Sequence, residues 1–221
     1  QISGNDAFST DLLAQIKTVA PDVEAWFGAD TGNATYTGTT LSTTGRTKAG
    51  GNEWFRLGSG GGTLTIANAN VLNGAFALTV GAENQTGLVN IGGLVYLPQA
   101  QNYTGTRTEL IGTSVTYGTH VGSGGILVVG QNGALNAANN TILLRSAELR
   151  LGVDPNNTYL GGVDTQYAAR NIDVRSGTGT LRTVSLSGGS NGVLKLNDFL
   201  MRMDDADRTF QMLSTGTHRT A

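Results

Sequence analysis

The chain has no cysteine and only two histidines. Without thiols it can form neither a disulfide framework nor a cysteine-based zinc cluster. The absence also suits passage through an oxidising compartment, where free thiols mispair. A Ser-His-Asp triad has only His120 and His218 to form around. His120 lies in Tyr117-Gly118-Thr119-His120-Val121-Gly122 and reads as a solvent-facing strand or corner residue. His218 stands in the polar stretch Thr217-His218-Arg219-Thr220-Ala221. Zinc sites need clustered His or Cys, and no such cluster is present.

Charge is equally sparse. Charged residues are 14% of the chain, against about 25% in an average soluble domain. Fourteen basic residues face sixteen acidic ones, for a net charge of -2. A chain so nearly neutral has no basic field to draw nucleic acid and no polybasic anchor for an anionic membrane. No apolar run approaches the 18 or so residues of a membrane-spanning helix, so membrane insertion is not expected. The sequence opens on Gln1, with neither an initiator methionine nor a signal peptide, and reads as a mature or excised part of something longer.

Glycine, threonine, serine and asparagine fill the space that charge leaves. Glycine alone accounts for 33 of 221 residues, while hydrophobic residues still make up 38%. The apolar residues fall in short clusters: Leu64-Thr65-Ile66, Phe76 to Val80, Leu94 to Leu97, Ile126 to Val129, Ile142 to Leu144, Leu149 to Leu151, Ile172 to Val174, and Val193 to Leu196. Turn dipeptides recur between them, as at Asn73-Gly74, Asn132-Gly133 and Asn191-Gly192. Many short, evenly spaced strands predict a sandwich, a barrel or a solenoid.

A repeat decides among these. Double glycines precede strands at Gly61-Gly62, Gly92-Gly93 and Gly124-Gly125, in steps of 31 and 32 residues. Thr35-Tyr36-Thr37-Gly38 is echoed by Asn102-Tyr103-Thr104-Gly105, a step of 67, or about two such periods. Such periodicity is the mark of stacked coils. Parallel stacking sets each residue about 4.8 Å from its equivalent in the next coil, where like charges repel and Thr, Asn or Ser can ladder. The step fits one large coil or one and a half smaller ones.

The fold expected is therefore all-β, a parallel β-helix or β-solenoid spanning 31–203. Residues 1–30 form a helical cap or docking segment, and 204–221 form a polar C-terminal tail. In the first segment Leu12, Ile16 and Val19 share helical spacing, Ser9 or Thr10 is placed to cap, and Pro21 ends the pattern.

The stretch from Asn102-Tyr103-Thr104-Gly105-Thr106 through Gly124-Gly125-Ile126-Leu127-Val128-Val129-Gly130, Gly133-Ala134-Leu135, Asn139-Asn140-Thr141-Ile142-Leu143-Leu144 and Ala147-Glu148-Leu149-Arg150-Leu151 resembles the autotransporter-associated β-strand repeat, also called the passenger-associated transport repeat. About 50 residues carry the likeness, with weaker echoes from Tyr36 to Leu97. The resemblance implies a right-handed parallel β-helix, an extracellular or bacterial cell-surface location, and a structural role with no catalytic residues to carry over. Two departures stand out: the sequence shows no outer-membrane barrel, and the repeat fades after Leu151.

Chemistry-bearing residues are few. Asp204, Asp205 and Asp207 form the one acidic cluster. It reads either as a calcium site tying down the last coil or as a solvated loop paired with Arg202 or Arg208. No other cofactor is indicated. Lysines are limited to Lys17, Lys48 and Lys195, and Glu53, Glu83, Glu109, Glu148, Asp154, Asp164 and Asp173 are scattered, with Asp154 and Asp164 flanking one loop. Tyr36, Tyr103, Tyr117, Tyr159, Tyr167, Trp26 and Trp54 are candidates for stacking on sugars, although the shared motif of Tyr36 and Tyr103 points to corner packing. Asn-x-Thr triplets begin at Asn33, Asn84, Asn102, Asn139 and Asn156, about as many as this composition yields by chance. The expected role is a structural or adhesive segment that self-associates into a fibre or continues in a longer chain. The alternatives are a glycan-binding module and a polysaccharide-cleaving β-helix enzyme.

Overall fold

The computed structural model describes residues 2–3, 6–45, 54–58, 60–81, 93–105, 107–111, 125–135, 141–145, 147–152, 155–156, 165–167, 171–176, 178–184, 194–196, 200–203 and 209–215. Two long parallel sheets dominate. One has eight strands: Ala7–Phe8, Asn33–Tyr36, Thr63–Ile66, Gly93–Leu97, Gly125–Val129, Glu148–Leu151, Thr178–Val184 and Thr209–Thr215. The other has six: Trp54–Leu57, Ala77–Val80, Arg107–Ile111, Thr141–Arg145, Asn171–Ser176 and Leu200–Met203. In each sheet neighbours follow chain order, one strand per coil. The molecule is a β-solenoid.

A third, less regular side runs from the eight-stranded to the six-stranded sheet within each coil. It includes the parallel pair Asn73–Gly74 with Asn102–Tyr103, the 3-10 turn Asn132–Leu135, and the parallel pair Thr165–Tyr167 with Leu194–Leu196. Ile2–Ser3 pairs with Ala29–Thr31 beside the first coils. All ladders between these strands are parallel; Thr44 and Trp54 form an isolated antiparallel bridge.

Alternation fills the interior. Ala34, Leu64, Val95, Leu127, Leu149 and Leu181 occupy successive register positions of the eight-stranded sheet, and all are buried. Leu57, Val80, Leu110, Leu144 and Val174 do the same across the core. Each inward side chain thus rests on its equivalents above and below. A one-residue slip would turn a whole strand inside out, so these columns hold the register.

The glycine spacing measures one coil. Gly93 pairs directly with Gly125, and the Leu94 N–H donates to the Gly62 carbonyl. Glycine is needed at Gly62 because a β-carbon there would lie 2.6 Å from the Gly32 carbonyl oxygen of the coil below. Coil length is not constant, however. Val95 to Leu127 takes 32 residues, Leu127 to Leu149 only 22, and Leu57 to Val80 only 23. The tyrosine echo is not a coil repeat: Tyr36 lies in the eight-stranded sheet, while Tyr103 lies on the third side.

The ends of the chain differ from the sequence reading. Residues 1–30 contain a rung of the eight-stranded sheet, Ala7–Phe8, and Phe27 bridges to Leu57 in the other sheet. The region read as a polar tail contains the strand Thr209–Thr215, paired along its whole length with Thr178–Val184. The strand carries Phe210, Met212 and Leu213, a short apolar pattern that the polar residues on either side of it masked in the sequence. The helix Leu12–Val19 is capped by Asp11, whose Oδ1 accepts from the Ala14 N–H at 3.0 Å, and not by Ser9 or Thr10. It buries Leu13 and packs Ile16 against the core, while Leu12 and Val19 face outward. Phe8, Phe27 and Tyr36 meet in this first coil with ring centroids 5.4 to 5.6 Å apart.

Candidate functional site

Where polar side chains gather, most are bound to this chain's own backbone. The clearest case is the corner after the eight-stranded sheet. Asn68 Nδ2 donates to the Thr37 and Gly38 carbonyls at 2.7 and 3.3 Å. In the next coil Gln101 Nε2 donates to the Asn68 carbonyl at 3.0 Å, and its Oε1 accepts from the Leu72 N–H at 3.0 Å. Gln131 Nε2 then reaches the Pro98 carbonyl at 3.0 Å. Each amide ties its coil to the one below. Sequence reading missed this column because the amides share no fixed spacing or motif.

The two Tyr-Thr-Gly corners also use their polar groups internally. The buried Tyr36 hydroxyl donates to the Thr40 carbonyl, and a β-carbon at Gly38 would collide with the same phenol. The buried Tyr103 hydroxyl shares a 3.0 Å hydrogen bond with the hydroxyl of Thr108. Burial, with Asp11 nearby, raises the Tyr36 phenol above its ordinary value and keeps it neutral. Neither ring is open to a sugar, in keeping with a corner-packing role.

Two charged clusters lie on the outside of the sheets. Arg56 is on the outward face of the six-stranded sheet yet is covered. Its guanidinium donates to the Thr44 carbonyl, lies 3.3 Å from Glu24 Oε1, and stacks 5.6 Å from the centre of the Trp26 ring. Trp26 in turn donates its indole N–H to the Gly81 carbonyl at 3.0 Å. Burial lowers the Arg56 value while Glu24 opposes the shift. The cluster clamps residues 24–26 and 44 onto the sheet. On the eight-stranded sheet Arg150 Nε lies 2.9 Å from Glu148 Oε1, and its other nitrogens face Glu148 Oε2 at 3.4 Å and the Pro155 carbonyl at 3.5 Å. Glu148 thus supplies the counter-charge to Arg150 on the outward face of this strand.

Among the described residues no three His, Cys, Asp or Glu side chains converge as a metal site would require. Asp204, Asp205 and Asp207 lie outside the described residues, as do His120, His218, Asp154, Asp164, Glu53, Glu83, Lys48, Tyr117 and Tyr159. Asp173 is buried on the outward side of its strand, and Trp26 and Trp54 are half-buried. Asn33, Asn102 and Asn156 are exposed. No helix among the described residues is long and apolar enough to cross a membrane.

The exposed large apolar side chains of the described surface are Leu12, Val19, Val23 and Met203. The first three belong to the first coil, between the strand Ala7–Phe8 and Phe27. Met203 closes the last rung of the six-stranded sheet, paired with the buried Val174. No family model, curated protein or solved structure matches the chain.

Proposed function

We propose that this chain is a structural segment of an exported bacterial surface or extracellular protein, with the solenoid as a stiff spacer that carries no catalytic centre. The observation that carries this reading is the corner column of Asn68, Gln101 and Gln131. Amide groups that could contact a ligand are instead bonded from coil to coil. The charged clusters support it in the same way. Arg56 holds an N-terminal segment in place, and Glu148 is engaged by Arg150, which leaves it poorly placed for acid–base work. The resemblance of residues 102–151 to the passenger-associated repeat supports export and a stalk-like role.

Two measurements test the reading. An antibody raised against the chain should label intact, unpermeabilised cells that make it, or their surrounding matrix; label that appears only after lysis would refute export. Incubation with a panel of plant, algal and bacterial polysaccharides should release no reducing ends, and release that saturates with substrate would replace the structural reading with an enzymatic one.

A further inference from the structure

We infer that Asn102, in the triplet Asn102-Tyr103-Thr104, is a site of N-linked glycosylation, singled out from the five Asn-x-Thr triplets of the chain by the way the third side of the solenoid holds it. The modification neither requires nor excludes the spacer role.

Composition alone yields about this many triplets, so the pattern by itself selects none of them. Geometry does. The pattern pairs an asparagine amide with a hydroxyl two residues on, and side chains two apart share a face only of extended backbone. Residues 102–104 meet that condition. The Asn102 N–H donates to the Leu72 carbonyl at 2.9 Å, and the Thr104 N–H to the Gly74 carbonyl at 2.7 Å. These bonds stretch the triplet along Asn73–Gly74 of the neighbouring coil. Tyr103, between the two, is fully buried, its hydroxyl 3.0 Å from that of Thr108. With Tyr103 fixed inward, Asn102 and Thr104 turn outward together, and both are exposed. The backbone then passes so close to Phe76 that a β-carbon at Gly105 would lie 2.2 Å from its carbonyl oxygen.

The other triplets are held differently. Asn33 lies in a strand flanked on both sides, by Ala7–Phe8 and Thr63–Ile66; its Thr35 is half-buried, and Asn33 itself is engaged. Asn156 is engaged as well. Asn84 and Asn139 lie outside the described residues. The nearby amides of Asn68, Gln101 and Gln131 are bonded to backbone carbonyls, whereas the Asn102 carboxamide makes no hydrogen bond among the described residues. The Thr104 hydroxyl donates only a long 3.4 Å bond to the Gly74 carbonyl, so its oxygen stays open to an enzyme that reads the triplet. The co-substrate is a sugar activated by a phosphate or diphosphate at its anomeric carbon. Asn102 Nδ2 forms the bond to that carbon, and the carbon–oxygen bond to phosphate breaks with its electron pair. The displaced Nδ2 proton passes to a base of the transferase, and nothing is oxidised or reduced.

Peptide mass spectrometry of the chain purified from the cells that make it should find a hexose or larger glycan on Asn102, with Asn33 and Asn156 bare. A ladder of single-sugar increments marks a nucleotide-sugar donor, and one large increment marks a lipid-carried oligosaccharide; either supports the site. Asn102→Gln and Thr104→Ala, made in the same cells, should each lose the added mass completely, while Thr104→Ser should keep it. Both positions are exposed, so far-UV circular dichroism should show the same fold in all three. Thr104→Ala leaves the acceptor amide in place, so its loss of mass reports recognition of the triplet. A bare Asn102 on the natural chain overturns the inference, as does equal occupancy of Asn33 or Asn156, or a sugar that persists in Thr104→Ala. A chain displayed outside cells with a bare Asn102 would sink the modification and leave the structural role standing. A glycosylated chain found only after lysis would do the reverse.

Discussion

Gln101 shows how a single side chain is committed in this fold. It is only 3% exposed, and its amide satisfies the Leu72 N–H and the Asn68 and Gln99 carbonyls at once. Replacing it with alanine strands buried backbone groups, and each such group costs about 1–3 kcal/mol. Gln101→Ala should therefore lower the unfolding free energy by at least that much in a urea titration, while the more exposed Asn68→Ala should cost less. Equal and negligible losses would show that water replaces both amides. The inward residues at this scale were legible in the sequence, because Leu64, Ile66, Val95, Leu97, Leu127 and Val129 alternate with period two. Arg56, Val128, Leu143 and Asp173 were not. They alternate outward and are nonetheless buried; Arg56 is covered by Glu24, Trp26 and Thr44, from 12 to 32 residues away, which no local period records.

Among the elements, the helix was anticipated by position but not by face. Leu12, Ile16 and Val19 share a helical period, but so do Leu13 and Ile16, and only the packing of the first coil selects between them. The cap was also one residue off, because Ser9, Thr10 and Asp11 are all competent cap residues. Asp11→Ala should remove the 3.0 Å bond to the Ala14 N–H and cost about 1 kcal/mol, read as a lower melting temperature. Ser9→Ala should leave the temperature unchanged if Asp11 alone caps. The strands were more legible than the helix. Each predicted cluster from Leu64 to Val174 coincides with a strand, since a short apolar run between glycines has little else to form. The two-residue strands Ile2–Ser3 and Ala7–Phe8 carry too little pattern to be seen without their partners.

For the molecule as a whole, stability comes from repetition and very little from charge. With a net charge of -2 and ion pairs such as Arg56–Glu24 and Arg150–Glu148 bonded locally, long-range electrostatics contribute little. Raising NaCl from about 0.1 M to about 1 M should change the unfolding free energy by less than about 1 kcal/mol. A larger fall, reversed by restoring low salt, would reveal a charge network that the described residues do not show. The solenoid itself was legible because the double glycines recur at 31 and 32 residues, the length of the coils they mark, although other coils are as short as 22 residues. The amide column of Asn68, Gln101 and Gln131 was not, since steps of 33 and 30 residues match no motif and only the stacking of the corners brings them together.

The unequal coils have a consequence for how such a chain can change. Twenty-two residues suffice to carry the wall from Leu127 to Leu149, yet Val95 to Leu127 takes 32. The circuit around the core is therefore closed with ten fewer residues in one coil than in the other, and the inward columns run through both without a break. A fold that stacks coils of unequal length tolerates insertion or deletion between its strands, so long as the inward columns are kept.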